Sequence, residues 1–124
     1  MSTRAVYTFV GFPDQPECHF NLHHDGYPTG AAWRFATALR LNPEDSAFLD
    51  SFLITQPSAE GLADPEQAAD SEYRYRILLL SSTPIALEVQ CWRRLPDGTI
   101  WHPRCSPMPL TLFIERFLPG GIPR

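Results

Sequence analysis

Residues 23–33, HHDGYPTGAAW, restrict the fold more than any other stretch of this chain. Asp25 before Gly26 is strong turn chemistry, and Gly26 is expected to take a positive φ that other residues avoid. Pro28 then presets the backbone of a first helical turn, and Gly30 is small enough for a helix to lie close to a sheet. The stretch therefore predicts a strand that ends, reverses direction and enters a helix.

Two strands are predicted ahead of this corner. Residues 4–10, RAVYTFV, are rich in β-branched and aromatic side chains and stop at a Gly-Phe-Pro break. Residues 17–24 alternate between two faces of a strand, with Cys18, Phe20, Leu22 and His24 on one face and His19, Asn21 and His23 on the other. We expect an antiparallel hairpin around GFPDQP, followed by a helix in GAAWRFATALRL.

A second helix is predicted from residues 41–56, LNPEDSAFLDSFLITQ. Asn42 is a candidate N-cap and Pro43 fits the first helical position, while the next two acids complement the positive end of the helix dipole. The stripe expected to be buried consists of Phe48, Leu49, Phe52 and Leu53, which leaves Asp45 and Asp50 towards water. Residues 57–71 are small, acidic and broken by proline, so we expect a loop with one helical turn after Pro65.

The rest of the chain predicts three strands and a last helix. Residues 72–80 and 84–94 have the composition of long strands joined by the short SSTP turn, and LPDG then leads into a third strand at residues 99–104. The final apolar residues, Leu110, Phe113, Ile114 and Phe117, have helical spacing, although the alternation over residues 110–112 also fits a strand.

The predicted fold class is therefore α+β, in the order ββααβββα: an antiparallel sheet of about five strands with two to three helices packed on one face. A chain of 124 residues is expected to form a single domain, residues 1–124. The longest purely apolar run is Ile77 to Leu80, well below the ~18 residues of a membrane helix, so we expect no membrane span and a cytoplasmic protein. The three cysteines have no C-x-x-C spacing, which favours reduced thiols.

Charge is segregated along the sequence. Residues 42–72 contain eight acids and no base, and the two flanks carry all ten arginines. The acids are Glu44, Asp45, Asp50, Glu60, Asp64, Glu66, Asp70 and Glu72. Such a segment is usually a solvated surface; its functional interpretation is a surface that imitates phosphates or pairs with a basic groove. The net charge of -4 argues against a dedicated nucleic-acid binder, which is usually basic.

No catalytic residue, cofactor or metal site is predicted. The side chains able to titrate near neutrality or bind a transition metal are His19, His23, His24, Asp25 and His102. Combined with Cys18 or Cys105 they match no known zinc spacing, and His23 and His24 would point to opposite sides of a strand. The sequence also contains no serine elbow, Gly-flanked cysteine or Gly-rich phosphate loop. We therefore interpret the 23–33 stretch as a structural corner.

Arginine and aromatic residues occur together in the C-terminal half. They are Tyr73, Arg74, Tyr75, Arg76, Trp92, Arg93, Arg94, Trp101, His102 and Arg104. On adjacent strands these residue types can stack bases or hold phosphates, and they are enriched in the hot spots of protein interfaces. The structural interpretation, half-buried tyrosines and arginines that extend to solvent, is favoured in a chain of negative net charge.

The sequence STRAVYTF followed by HHDGYPTGAA resembles a group of small proteins from bacteriophages and integrated mobile elements. In that group a strand of the form R-A-x-Y-x-F precedes H-x-D-G-Y-P-x-G-A-A and a helix. The resemblance covers residues 3–40 and leaves the GFPDQPE loop and the C-terminal strands unmatched. It implies an accessory protein of a phage or mobile element, a class in which inhibitors of bacterial defence, including anti-CRISPR proteins, are common.

The resulting prediction is a non-enzymatic protein that binds and inhibits a bacterial defence protein or ribonucleoprotein complex, as a monomer or homodimer in a bacterial host. Direct nucleic-acid binding is not expected. The predicted partner-binding residues are Glu44, Asp45, Asp50, Asp64, Glu66, Asp70, Trp92, Arg94 and Trp101. One alternative is a small metal-dependent or histidine-based enzyme using His23, His24, Asp25 and His102. A second is a nucleic-acid-binding module that uses the Arg and Trp hairpin.

Overall fold

The computed structural model describes residues 3–81, 86–96, 98–118 and 120 of the chain. Strands β1 to β6 are Ala5–Val10, Cys18–Leu22, Glu60–Leu62, Tyr73–Leu80, Ala86–Arg93 and His102–Pro109. Helices α1 to α3 are Pro28–Leu41, Phe48–Thr55 and Leu110–Phe117. Single 3-10 turns lie at Asp45–Ala47 and Pro65–Gln67.

The strands form one six-stranded sheet in the order β3-β2-β1-β4-β5-β6. The two central strands, β1 and β4, are parallel, and every other neighbouring pair is antiparallel. The prediction of an α+β fold is confirmed. The prediction of a purely antiparallel sheet of about five strands is wrong, because the sheet is mixed and has six strands.

The parallel pair arises from the path of the chain between β2 and β4. Strand β2 ends beside the start of β1, since Leu22 is the partner of Ala5. After α1, α2 and β3, the segment 63–72 brings the chain back to that same end, where the Glu72 and Tyr73 amides donate to the Arg4 carbonyl. Strand β4 therefore begins level with β1 and must run in the same direction.

The core lies between the sheet and the three helices. Tyr7 of β1 stacks on Tyr75 of β4 with ring centroids 5.0 Å apart, and both are fully buried. Tyr7 also contacts Phe52 of α2, while Tyr75 contacts Phe113 of α3 and Phe35 of α1. Because Tyr7 and Tyr75 are register partners, these contacts place all three helices on one face of the sheet. The opposite face is called the open face below.

The start of the second helix differs from the prediction. Helix α2 begins at Phe48, and Asn42, the predicted N-cap, instead ends α1 by donating its amide to the Ala38 carbonyl. The Asn42 side chain accepts a hydrogen bond from the Glu44 amide at 3.0 Å, and Glu44 has an extended backbone. Asparagine side chains compete in this way with helix formation, which delays the helix past Pro43.

One strand was missed by the sequence pattern, and another was misplaced. Residues 60–62, predicted as loop, form β3, whose three residues are too few to show alternation and pair with His19 to Asn21 of β2. The last strand was predicted at residues 99–104 but runs from His102 to Pro109. It contains three prolines, which an edge strand tolerates because one of its sides needs no ladder hydrogen bonds.

The other local predictions are confirmed: the β1–β2 hairpin, α1 with Pro28 in its first turn, the helical turn at Pro65, the antiparallel β4 and β5, and helix α3. The predicted SSTP turn falls mostly on residues 82–84, which lie outside the described residues, as do the first two residues of the strand predicted from 84. Of the helices in the described ranges, none is both long enough and apolar enough to cross a membrane.

Candidate functional site

The HHDGYPTGAAW stretch is organised around a buried arginine. Arg34 of α1 is 7% exposed, and its guanidinium donates to the carbonyl oxygens of His24 at 2.6 Å and Asp25 at 2.8 Å. It also donates to the Tyr7 hydroxyl and to the Gln56 side chain, each at 3.1 Å. One side chain thus joins the corner, the central strand and the end of α2. The hydrogen-bonding capacity of Arg34 is used for structure, as the corner interpretation expects.

The residue with the special backbone conformation in the corner is Asp25, not Gly26. Asp25 has φ 52°, whereas Gly26 has no positive φ, so that expectation was wrong. Gly26 is needed for space, since a Cβ there would lie 2.9 Å from backbone atoms of Thr3 and Arg4. Its carbonyl accepts a hydrogen bond from the buried Tyr75 hydroxyl at 2.6 Å. Burial keeps the pKa of Tyr75 well above 10 and its hydroxyl protonated.

The predicted acidic residues lie in two separate places. Glu44, Asp45 and Asp50 belong to the turn before α2 and to α2 itself, on the helix side of the sheet. Burial, together with the neighbouring Glu44, raises the pKa of Asp45. Asp64 and Glu66 belong to the 3-10 turn at Pro65–Gln67, which lies against the open face because Glu66 binds Arg74. The sheet therefore separates the acids into two groups.

The acids on the open-face side have partners. Asp64 caps the 3-10 turn by accepting from the Glu66 amide at 2.8 Å, and Glu66 forms an ion pair with Arg74 at 3.0 Å. Asp70 forms an ion pair with Arg4. Arginines from the flanks thus neutralise acids that are isolated from bases in the sequence.

A cleft on the open face brings together several of the predicted arginine and tryptophan residues. Its volume is about 250 Å³. The lining comprises Thr8, Glu17, His19, Pro65, Arg74, Tyr75, Arg76, Trp92 and Trp101. Of the predicted partner-binding residues, Trp92 and Trp101 line it directly, and Glu66 adjoins it through Arg74. We call this feature the open-face cleft.

Strand register explains why these side chains meet. His19, Thr8 and Arg76 occupy one row across β2, β1 and β4, because Thr8 is the partner of both of the others. Arg74 and Trp92 are partners in the next row, on β4 and β5. Alternate residues of each strand face the same side, so the intervening Tyr7 and Tyr75 face the core.

The floor of the cleft contains a buried hydroxyl and imidazole. Thr8 and His19 are 8% and 9% exposed, and Thr8 Oγ1 lies 2.8 Å from His19 Nδ1. The Glu17 carboxylate lies 3.6 Å from His19 Nε2. Since an ionised carboxylate can only accept, the tautomer with hydrogen on Nε2 fits both contacts, and Thr8 then donates to Nδ1.

Trp101 forms one wall of the cleft and is held by two arginines. The guanidinium carbons of Arg94 and Arg74 lie 4.5 Å and 5.4 Å from its ring centroid, distances typical of cation–π contacts. Arg94 is itself fixed, because it donates to the carbonyls of Ala69 and Ser71 at 2.7 Å and 2.9 Å. Within the described residues the buried indole N–H of Trp101 has no acceptor.

Arg76 differs from the other arginines of the cleft. Arg74 is paired with Glu66 and Arg94 binds backbone carbonyls. In the part of the chain that the structure describes, Arg76 has no ion pair, hydrogen bond or ring contact. Among the described residues that line the cleft, Arg76 is therefore the cation whose charge is not offset by a direct partner.

The histidines and cysteines do not converge as the enzyme alternative requires. His102 lies on the edge strand β6, four strands away from β2 and the corner with His24 and Asp25. Four strand spacings correspond to about 19 Å. Among the described residues, no three His, Cys, Asp or Glu side chains are grouped so that they could hold a metal ion.

The two buried cysteines belong to the core. Cys91 and Cys105 are register partners on β5 and β6. The hydrogen bond between their thiols, together with burial, raises the pKa of Cys91, and the same hydrogen bond lowers the pKa of Cys105. Cys105 is thus engaged with Cys91 rather than with the histidine of its own strand.

Seven of the nine lining residues were missing from the predicted partner-binding residues: Thr8, Glu17, His19, Pro65, Arg74, Tyr75 and Arg76. Alternation in the sequence did place His19 on the polar face of β2, and Arg76 alternates with tyrosines in β4. Their convergence depends on β1 lying between β2 and β4, which no local pattern indicates.

Neither a protein family model, nor a curated protein, nor a solved structure matches the chain.

Proposed function

We propose that this chain is a non-enzymatic binding protein of phage or mobile-element origin that inhibits a bacterial defence complex of CRISPR type. The origin and the class of partner rest on the resemblance carried by residues 3–40. The observation that carries the binding function is the open-face cleft. Trp92 and Arg76 are presented there by sheet strands, and Trp101 by the loop after β5 that Arg94 holds in place. Arg76 has no partner among the described residues. Tryptophan and arginine dominate the energetics of protein interfaces, and a rigid scaffold lowers the entropic cost of binding.

The corner supports this assignment by elimination. Within the stretch that carries the resemblance, the carbonyls of His24 and Asp25 accept hydrogen bonds from Arg34 that shape the fold. A family motif of this kind preserves a scaffold and leaves binding to surfaces that the motif does not include. Most of the lining of the open-face cleft, on β4, β5, the turn at Pro65 and the loop after β5, lies outside residues 3–40, whereas Thr8 and His19 lie inside that range.

The test is an infection assay in bacteria that carry one defined defence system at a time. The wild-type protein should restore phage plating in at least one CRISPR-type strain. Trp92→Ala and Arg76→Gln should abolish this rescue, because they remove an aromatic anchor and a cation of the cleft. Matched controls on the helix side, Trp33→Ala and Arg40→Gln, should retain it, and thermal melting should show all four variants folded.

Two results would count against the proposal: no rescue in any strain, or full rescue by both cleft variants.

A further pair of variants tests the helix-side acids as the interface. Glu44→Arg with Asp50→Arg reverses two exposed charges without touching the partnered acids of the open face. Loss of rescue in this pair, with normal rescue in the cleft variants, would move the interface to α2 and favour the phosphate-imitating surface.

A histidine-based enzyme is the second candidate, and one observation favours it. Glu17, His19 and Thr8 follow the order carboxylate, imidazole, hydroxyl, which is the order that activates a nucleophile for acyl transfer. This candidate predicts hydrolysis of p-nitrophenyl acetate that is lost in Thr8→Val and kept in Thr29→Val, an exposed threonine of α1. Equal rates in the two variants would remove it.

A further inference from the structure

We propose that the open-face cleft binds a single nucleotide, with the phosphate held by Arg76 and the base placed against Trp92 and Trp101. The proposal rests on the proposed function in taking this cleft as the binding surface, and it adds the chemical class of the ligand. The nucleotide is either free or one unit of a single-stranded nucleic acid within the target complex.

The cation that the cleft offers to one phosphate group is Arg76, and the Glu17 carboxylate, which also lines the cleft, opposes part of its charge. Arg76 has no partner among the described residues, and its planar guanidinium suits bidentate contact with phosphate oxygens. In the same row, Thr8 and His19 are hydrogen-bonded to each other at the floor of the cleft. Arg74 adds little net charge because Glu66 neutralises it.

The aromatic walls fit one base. Trp101 is held by Arg74 and Arg94, so its ring is already fixed before a ligand arrives. Trp92 lies in the same cleft, beside the strand position of Arg74. Stacking of a base on an indole that is already fixed costs the protein little conformational entropy. Such stacking strengthens binding by about fivefold or more.

The size and the overall charge limit the ligand to one nucleotide. The cleft volume of about 250 Å³ lies below the ~300 Å³ at which pockets for drug-sized ligands begin, so the cleft holds at most one nucleotide and leaves part of it in solvent. A net charge of -4 opposes the binding of a long polyanion, which needs several cations along its path. A single phosphate needs one cation, and Arg76 provides it.

The experiment is an NMR titration of the full chain, labelled with nitrogen-15, with adenosine monophosphate, adenosine and inorganic phosphate in turn. The indole N–H signals of Trp92 and Trp101 should shift and saturate with adenosine monophosphate, while that of Trp33 on the far side should not move. Adenosine monophosphate should bind more tightly than either fragment, because it engages both the cation and the rings.

Three substitutions assign the parts of the ligand. Arg76→Gln should weaken adenosine monophosphate at least about tenfold and leave adenosine unchanged, since a hydrogen bond to a charged group is lost. Trp92→Leu should weaken adenosine and leave phosphate unchanged, with Trp101 as the reporter. Glu17→Gln should strengthen phosphate binding about two- to fivefold, because an exposed like charge is removed. The matched control Arg40→Gln should change nothing.

The inference is overturned if adenosine monophosphate at millimolar concentration causes no saturating shift, or if Arg76→Gln binds it as well as the wild type. Either result, combined with loss of phage rescue in the cleft variants, would leave the proposed function standing with a protein partner in the cleft. A short oligothymidylate separates the two sources of the nucleotide. Tighter binding than the mononucleotide indicates a strand, and weaker binding indicates a free nucleotide.

Discussion

Replacing Gly30 with alanine should destabilise this protein, although the same change in an ordinary helix interior is stabilising. Helix propensity alone favours alanine over glycine by about 1 kcal/mol. Gly30 lies in the first turn of α1 against the backbone of the corner. A Cβ at this position would overlap the Asp25 carbonyl oxygen and lie 2.9 Å from both the Asp25 carbonyl carbon and Cβ, inside the 3.0 Å that real Cβ atoms keep.

The magnitude follows from what holds the Asp25 carbonyl in place. That oxygen accepts a hydrogen bond from the buried Arg34 guanidinium at 2.8 Å, and Asp25 already has a left-handed backbone with φ 52°. Moving it away costs about 1.5 to 3 kcal/mol for the charge-assisted hydrogen bond and about 1 to 3 kcal/mol for displaced packing. After the gain in propensity is subtracted, the free energy of unfolding should fall by about 3 kcal/mol.

The assay is unfolding in urea, monitored by far-ultraviolet circular dichroism, which gives the free energy of unfolding of each variant. The slope of the transition is compared between variants. Gly61→Ala is the control, because the nearest atom to its Cβ is a Phe20 ring carbon at 4.0 Å, and its free energy should change by less than about 0.5 kcal/mol. A Gly30→Ala protein as stable as the wild type would refute the argument that the corner closes on this glycine.

Three further predictions concern titration and capping. Burial raises the pKa of Tyr7 to about 12 despite the nearby Arg34. The neutral phenol therefore stabilises the fold below pH 10, and the free energy of unfolding should fall by up to about 2.7 kcal/mol between pH 10 and 12. Urea unfolding of Tyr7→Phe should therefore show a smaller alkaline decline than the wild type, and equal declines would contradict this. Burial also raises the pKa of Asp45, so the fold favours its protonated form. The contribution of this carboxyl to the free energy of unfolding is therefore lost as the pH rises above about 4. Asp45→Asn should accordingly raise the melting temperature at pH 7 but not at pH 3, and the same shift at both would exclude a charge effect. Asp64→Ala removes the cap of the 3-10 turn and should lower the free energy of unfolding in urea by about 1 kcal/mol. Glu66→Ala should lower it by less, because that variant breaks only an ion pair with an exposed carboxylate. A larger loss in Glu66→Ala than in Asp64→Ala would argue against the cap.

Local patterns in the sequence were enough to predict four of the strands, the three helices and the corner, although the start of α2 was misplaced. Alternation identified β2, composition and flanking turns identified β1, β4 and β5, and the spacing of Leu110, Phe113 and Ile114 identified α3. The corner was also readable, because turn chemistry at Asp25 and the preset backbone of Pro28 act within a few residues. These features depend on residues that are close together in the chain, so they can be predicted without knowledge of the tertiary structure.

The tertiary structure alone decided which of these elements meet. The parallel pairing of β1 with β4 joins residues nearly seventy positions apart, and the return of residues 63–71 across the open face brings Glu66 to Arg74. Strand pairing at such separation is set by burial of the whole sheet face and by the route of the connecting chain, for which a single segment has no periodic signal. For this reason the sequence showed an arginine at position 76 and a histidine at position 19, and only the folded sheet put them in one cleft.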